Sequence, residues 1–188
     1  GATDIRYGGG DLADRIVVAG GGGGGGGAAI GSTTFPAGNG GSAGSLMPDG
    51  SSPSNYPNMD LEPGAGSAAT ETTVGLGGST ASSGGCFVGD EGEDGIGSDG
   101  GDGGNGESNP PNCTIQGAGG GAGGGGFFGG GAGASGQTNG SGISFPSSGG
   151  GAGSSYTGGV SNATVEESNQ TGNGVVIITW GSNKKRLK

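Results

Sequence analysis

Seven carboxylates crowd one short stretch of the chain: Asp90, Glu91, Glu93, Asp94, Asp99, Asp102 and Glu107. Calcium is a hard cation that takes six to eight oxygen ligands, so the first six of these are its candidate ligands. The spacing fits no EF-hand, because the third position of the best register is Gly92. The competing expectation is a solvated acidic loop. A catalytic acid pair needs burial to separate its pKa values, and nothing apolar in the stretch buries these groups. Two cysteines, Cys86 and Cys113, bracket the stretch. An even count in a chain with a weak core fits a disulfide and an oxidising compartment, the alternative being two free thiols. With no histidine and no second cysteine pair, zinc is not expected. Four Asn-x-Ser/Thr sequences begin at Asn112, Asn139, Asn162 and Asn169. In a secreted eukaryotic chain these accept N-glycans at the surface. Those at Asn162 and Asn169 stand out, since they sit in an open polar segment.

Other chemistries lack their parts. The run from Ile16 into Gly20 has the strand-then-glycine look of a dinucleotide fingerprint, but Ala28 to Pro36 forms no helix to follow it. No Gly-Lys-Ser/Thr appears, so there is no phosphate loop. An enzyme is not expected: histidine, the commonest general base, is absent, as is a nucleophile elbow.

The elements that must position these residues are unusual. Glycine is 58 of 188 residues and proline 8. Non-periodic Gly plus Pro above roughly 25–30% is the mark of a low-complexity chain, so a flexible spacer is one reading. Hydrophobic residues are 27% and aromatics 5%, too few for an ordinary core. An ordered state must therefore rest on backbone hydrogen bonds. Glycine runs occur at Gly20–Gly27, Gly117–Gly126, Gly129–Gly133 and Gly149–Gly153, broken only by alanine. In polyproline II geometry the rise is ~3.1 Å with three residues per turn and no internal hydrogen bonds, so each N–H and C=O points outward. Tracts without side chains approach closely enough to bond one another, and Cα–H···O contacts add to the N–H···O bonds. The expected fold is mostly irregular and β: a bundle of polyglycine II helices with a few short β-strands and almost no α-helix. Collagen differs, needing glycine strictly at every third position with abundant proline, and the chain as a whole has neither.

Ile16–Ala19 and Val175–Thr179 read as strands that pair and bring the ends of the domain together. Gly1 to Asp14 reads as polar and short-range. Gly40 to Pro63, with four prolines, reads as a long irregular excursion, and Gly64 to Gly85 as small residues with isolated apolar points. The aromatics Phe127, Phe128, Phe145, Tyr156 and Trp180 are expected to seal the rims of the bundle. Residues 1–182 then form one glycine-rich domain with an acidic disulfide loop at 86–113, and 183–188 a basic tail.

Net charge is −10, and four of the six basic residues are Lys184, Lys185, Arg186 and Lys188. So acidic a body does not track a phosphate backbone, which argues against nucleic acid. No run of eighteen apolar residues exists, so no membrane span is expected. The glycine start without a signal pattern suggests a piece of a longer precursor.

The ordered series Gly1-Ala-Thr-Asp-Ile-Arg6, Asp14-Arg-Ile-Val-Val-Ala-Gly-Gly, Gly123–Gly133 around Phe127-Phe128, Gly149-Gly-Gly-Ala-Gly-Ser-Ser-Tyr156 and Gly172-Asn-Gly-Val-Val-Ile-Ile-Thr179 resembles the glycine-rich domain family. Similar regions occur in the ectodomains of the anaplastic lymphoma kinase and leukocyte tyrosine kinase receptors and in secreted microbial surface proteins. The resemblance covers nearly the whole chain and implies polyglycine II bundles outside the cell. Its further β-rich opening segment is missing here, and the stretch 90–107 and the tail depart from it. The function expected is an extracellular or cell-surface structural module, the subunit of a filament or adhesive matrix that pairs with itself. The alternative is a ligand-binding ectodomain of a receptor or adhesin that docks proteins or glycans. Ice binding by a flat face is a third reading, disfavoured by the missing short period.

Overall fold

The computed structural model describes residues 1–28, 36–44, 47–54, 62–80, 89–106, 117–136, 146–166 and 177. Its regular secondary structure lies at the start. Strand β1 (Thr3–Arg6) pairs antiparallel with β2 (Arg15–Ala19), with Thr3 opposite Ala19 and Ile5 opposite Val17. A bulge between Ile5 and Arg6 shifts the register. The link turns through Gly8 at φ 91° and a single 3-10 turn, Leu12–Asp14, where the Asp14 carboxylate accepts the Asp11 N–H at 2.9 Å. Among the described residues this turn is the only helix. The β-branched Ile16-Val17-Val18 forms its expected strand. Its partner is not the one expected. Residues 3–6, read as polar, supply β1, because Thr3 and Ile5 alternate with Asp4 and Arg6. The other edge of β2 is taken by Tyr156, which exchanges two hydrogen bonds with Val18 at 2.8 and 2.9 Å, and by the Gly159 N–H donating to the Ile16 carbonyl at 3.1 Å. Of the run 175–179, all but Ile177 lies outside the described residues.

The rest is built from extended tracts joined to one another rather than to themselves. In chain order they are tract 1 (20–28), tract 2 (36–42), tract 3 (48–53), tract 4 (62–70), tract 5 (73–80), tract 6 (89–96), tract 7 (99–106), tract 8 (117–126), tract 9 (128–136) and tract 10 (146–155). Consecutive tracts run in opposite directions.

The hydrogen bonds repeat every third residue. In tract 9 the N–H groups of Gly130, Gly133 and Gly136 go to tract 8, those of Gly131 and Ala134 to tract 4, and those of Ala132 and Ser135 to tract 6. Its carbonyls accept from tract 5 (Gly75, Gly78), tract 7 (Gly101, Gly104) and tract 10 (Ser148, Gly151, Ser154). Tract 10 does the same: it donates to tracts 1, 9 and 3 and accepts from tracts 2, 4 and 8. Each of these two tracts thus has six bonded neighbours. Tracts 1 to 8 form a closed ring around them, sealed where Gly21, Gly24 and Gly27 donate to Gly125, Ala122 and Gly119. In section this gives three layers: tracts 7, 8 and 1; tracts 6, 9, 10 and 2; and tracts 5, 4 and 3.

Burial follows position. In tracts 9 and 10 every residue from 129 to 136 and from 146 to 155 is buried. Most ring tracts turn every third residue inward: Gly38 and Gly41, Pro63, Gly66 and Ala69, Gly75 and Gly78, Gly89 and Gly95, Gly101 and Gly104, and Gly121 and Gly124 are buried, Gly92 is half-buried, and tract 1 has no fully buried residue. A Cβ at Gly66 would be driven into the Gly131 carbonyl, one at Gly92 into the Ala132 carbonyl and one at Gly133 into the Ser148 carbonyl. The bundle core is therefore main chain plus small side chains, with Ala132, Ala134 and Ala152 fully enclosed and Pro63 and Pro146 the largest groups buried at its end.

Three stretches differ from their expected form. Residues 89–106, read as an acidic loop, are tracts 6 and 7 joined by a tight turn in which Ile96 and Asp99 exchange two hydrogen bonds. Residues 40–53, part of the stretch 40–63 read as an irregular excursion, supply the end of tract 2 and all of tract 3. Residues 62–80 supply tracts 4 and 5, closed by the Thr70 N–H donating to the Thr73 carbonyl at 2.9 Å. The cause is shared: a ring tract leaves at least one position in three facing solvent, where larger residues such as Leu76, Glu93 and Asp102 stand.

Candidate functional site

The bundle has two unlike ends. At one, tight turns link the tracts: Thr70–Thr73, Ile96–Asp99 and Gly126–Phe128. The two-stranded sheet covers this end. At the other end the chain leaves at 28, 54, 80, 106 and 136 and returns at 36, 62, 89, 117 and 146.

The sheet-covered end carries the described aromatic cluster. The Phe127 and Tyr156 rings stack at 4.1 Å with an interplanar angle of 11°, and Phe128 meets Phe127 edge-on at 5.3 Å. Arg15 lies over the Phe127 ring at 4.8 Å. Its guanidinium also donates to the Gly126 and Phe127 carbonyls at 3.1 and 3.4 Å. One side chain thereby satisfies the carbonyls freed at a tract end and adds a cation–π contact. Beside it a cleft of about 230 Å³ is lined by Val17, Val18, Ala43, Ser155, Thr164 and Val165, among others. The lining is small and apolar, with Glu166 at one margin. Phe145 and Trp180 lie outside the described residues.

Buried serines finish the other tract termini. Ser147 Oγ accepts the Gly27 N–H at 2.6 Å and donates to the Gly119 carbonyl. Ser154 Oγ accepts the Phe128 N–H at 2.9 Å, Ser135 Oγ the Asp90 N–H at 2.7 Å and Ser155 Oγ the Gly20 N–H at 3.1 Å. Ser148 Oγ donates to the Pro63 carbonyl. Ser135, Ser154 and Ser155 stand where a backbone N–H has run out of tract to bond, as a capping residue does on a helix, whereas Ser147 reinforces the direct Gly27–Gly119 bond. Sequence reasoning missed these serines and Arg15. The signal was present in the symmetric spelling Ser147-Ser148-Gly-Gly-Gly-Ala-Gly-Ser154-Ser155.

The candidate calcium ligands fall on tracts 6 and 7. Glu91, Glu93, Asp94, Asp99 and Asp102 are exposed and Asp90 is half-buried. Asp94 Oδ1 accepts the Gly77 N–H at 2.7 Å, which ties tract 6 to tract 5. Among the described residues no three acidic side chains converge to hold a metal ion. The structure brings these residues to one face and not to one point. Across the described residues one ion pair forms, Arg6 Nη2 to Asp4 Oδ2 at 3.0 Å. Of the candidate glycan acceptors, Asn162 is exposed in a turn at φ 58°, a left-handed conformation that asparagine tolerates. Asn112, Asn139, Asn169, Cys86, Cys113, Glu107 and the tail 183–188 lie outside the described residues. No described helix is long and apolar enough to cross a membrane.

The chain matches no family model, no curated protein and no solved structure.

Proposed function

We propose that the chain is an extracellular structural module whose tracts are polyglycine II helices, and that it serves assembly as the subunit of a surface filament or adhesive matrix. The observation that carries this reading is the six-fold bonding of tracts 9 and 10. A hydrogen bond to a new neighbour at each successive residue is what a three-residue turn with outward-pointing amides requires. Such a body is stiff along its axis, because each tract is held along its length by others. Its ring carries exposed carboxylates on tracts 6 and 7, which keep it soluble. The resemblance to the glycine-rich domain family fits the same reading, and a Cys86–Cys113 disulfide is part of the proposal. Catalysis forms no part of it.

Sedimentation of the oxidised chain over a range of concentration and salt tests the assembly role. Oligomers that grow with concentration are expected, and a monomer under every condition contradicts it. One observation favours a second reading. Five tracts end, and the five that follow them begin, at the end away from the sheet, and the sequence between them is seven to ten residues each time, loop-length segments of the kind that carry protein or glycan contacts. A monomer that binds a surface glycan or protein through that end would establish the binding module instead.

A further inference from the structure

Among the described residues the sheet has one open edge, and its charge pattern is self-complementary. Val18 gives both its N–H and its C=O to Tyr156, and Ile16 accepts from Gly159, so these β2 residues face away from β1. The β1–β2 ladder therefore runs through Ile5 opposite Val17 and Thr3 opposite Ala19. Tyr7 continues it by donating to the Asp14 carbonyl at 2.9 Å. It follows that the N–H and C=O groups of Asp4 and Arg6 point outward from the sheet, and among the described residues nothing pairs with that edge. Asp4 and Arg6 are two apart, so their side chains share one face, where they already form an ion pair at 3.0 Å.

We propose that β1 is a self-pairing edge whose occupant is β1 of a second copy, antiparallel about a two-fold axis through Ile5. This rests on the assembly reading above and names one of its contacts, a two-fold pairing that a filament would need to combine with a second, different contact. In that register Ile5 faces Ile5 of the other copy as a non-hydrogen-bonded pair. Asp4 faces Arg6 and Arg6 faces Asp4 as hydrogen-bonded pairs, the positions whose backbone groups point outward. Each Arg6 then lies opposite an aspartate of the other copy, and both cross-strand pairs join opposite charges. A shift of one residue in register loses both the charge match and the hydrogen bonds. An isologous contact of this kind closes on two copies. The edge is short, so the pairing is weak and exchanges readily.

The test is a sedimentation series on the full oxidised chain and on Asp4→Arg and Arg6→Asp, with thermal unfolding to establish that each variant folds. Either single variant puts like charges opposite each other in the self-pair. Each is expected to weaken dimerisation by about tenfold or more. Mixing the two variants restores opposite charges in the mixed pair, so a heterodimer at wild-type affinity is expected. Association of the parent chain that neither swap weakens overturns the edge assignment and leaves the assembly reading standing. A parent chain that never dimerises overturns both. A mixture that stays as weak as its components also overturns the edge assignment, because general loss of structure would explain the single effects.

Discussion

The Gly151 N–H donates to the Gly131 carbonyl at 2.8 Å, joining the two tracts that no solvent reaches. Around that bond the Gly131 N–H goes to Ser67 and the Gly151 carbonyl accepts from Gly124. Each residue is thus tied into several tracts at once, and no pair of tracts stands alone. Disturbing one bond should disturb its neighbours, so unfolding is expected to be cooperative despite the small apolar content.

Glycine substitutions should separate by position. A Cβ at Gly133 would meet the Ser148 carbonyl, and overpacking of this kind costs about 1–3 kcal/mol or more. At Gly119 the nearest atom to a new Cβ is the Gly104 carbonyl oxygen at 3.6 Å, and at Gly25 the Gly38 carbonyl oxygen at 3.7 Å. Both are ordinary contacts. Gly119→Ala and Gly25→Ala should therefore leave stability unchanged or raise it by ~0.4–1 kcal/mol through the unfolded chain. Denaturant midpoints of the three variants check this, and equal losses in all three would contradict it.

The serine caps make a second series. Ser154→Ala strands the Phe128 N–H and Ser135→Ala the Asp90 N–H. An unsatisfied buried donor costs roughly 1–3 kcal/mol. Ser147→Ala should cost less, since the Gly27 N–H keeps its direct bond to the Gly119 carbonyl at 3.0 Å. Replacing the exposed Ser42 by alanine is the control and should change little. Thermal unfolding of the set gives the ranking.

Arg15→Lys keeps the charge but loses the planar fork that reaches the Gly126 and Phe127 carbonyls. Arg15→Ala also removes the contact with the Phe127 ring. The expected order of melting temperature is parent, then lysine, then alanine. The near-ultraviolet signal of the Phe127–Tyr156 stack should change in the same order.

Calcium should not stabilise the described acidic face specifically. Glu91, Glu93, Asp94, Asp99 and Asp102 project from two tracts without converging. Calcium and magnesium at matched concentration should shift the melting temperature equally, by screening carboxylate repulsion. A shift with calcium alone would show a site.

What could be read in the sequence was whatever left a continuous mark. Gly20–Gly27 and Gly149–Gly153 are unmistakable as tracts, and Ile16-Val17-Val18 as a strand, because their pattern is unbroken. Tracts 2 to 7 were hidden. In these tracts one residue in three turns inward, so Gly89-Asp-Glu-Gly92-Glu-Asp-Gly95 looks like a charged loop until its glycines are counted at that spacing. Tract 4 is harder still, since Pro63, Gly66 and Ala69 fill the same three inward positions. The period exists tract by tract and is lost over the whole chain, where each connection resets its phase. β1 was missed because Asp4 and Arg6 lend it a polar composition, although their charges stand on one face of the strand. The acidic residues were located as a cluster in sequence. Their separation onto two tracts depends on the turn at Ile96–Asp99, which no run of residues announces.

Residue-resolved amide hydrogen exchange on the oxidised chain tests the central claim most directly. Tracts 9 and 10 should be protected throughout residues 129–136 and 147–154, and tract 1 should show a pattern with period three. Its Gly21, Gly23, Gly24, Gly26 and Gly27 N–H groups donate within the bundle, whereas Gly22 and Gly25 face outward. Slow exchange at the first five with fast exchange at Gly22 and Gly25 is the predicted result. Uniformly fast exchange through 20–27 and 117–136 would contradict it and leave a flexible glycine spacer.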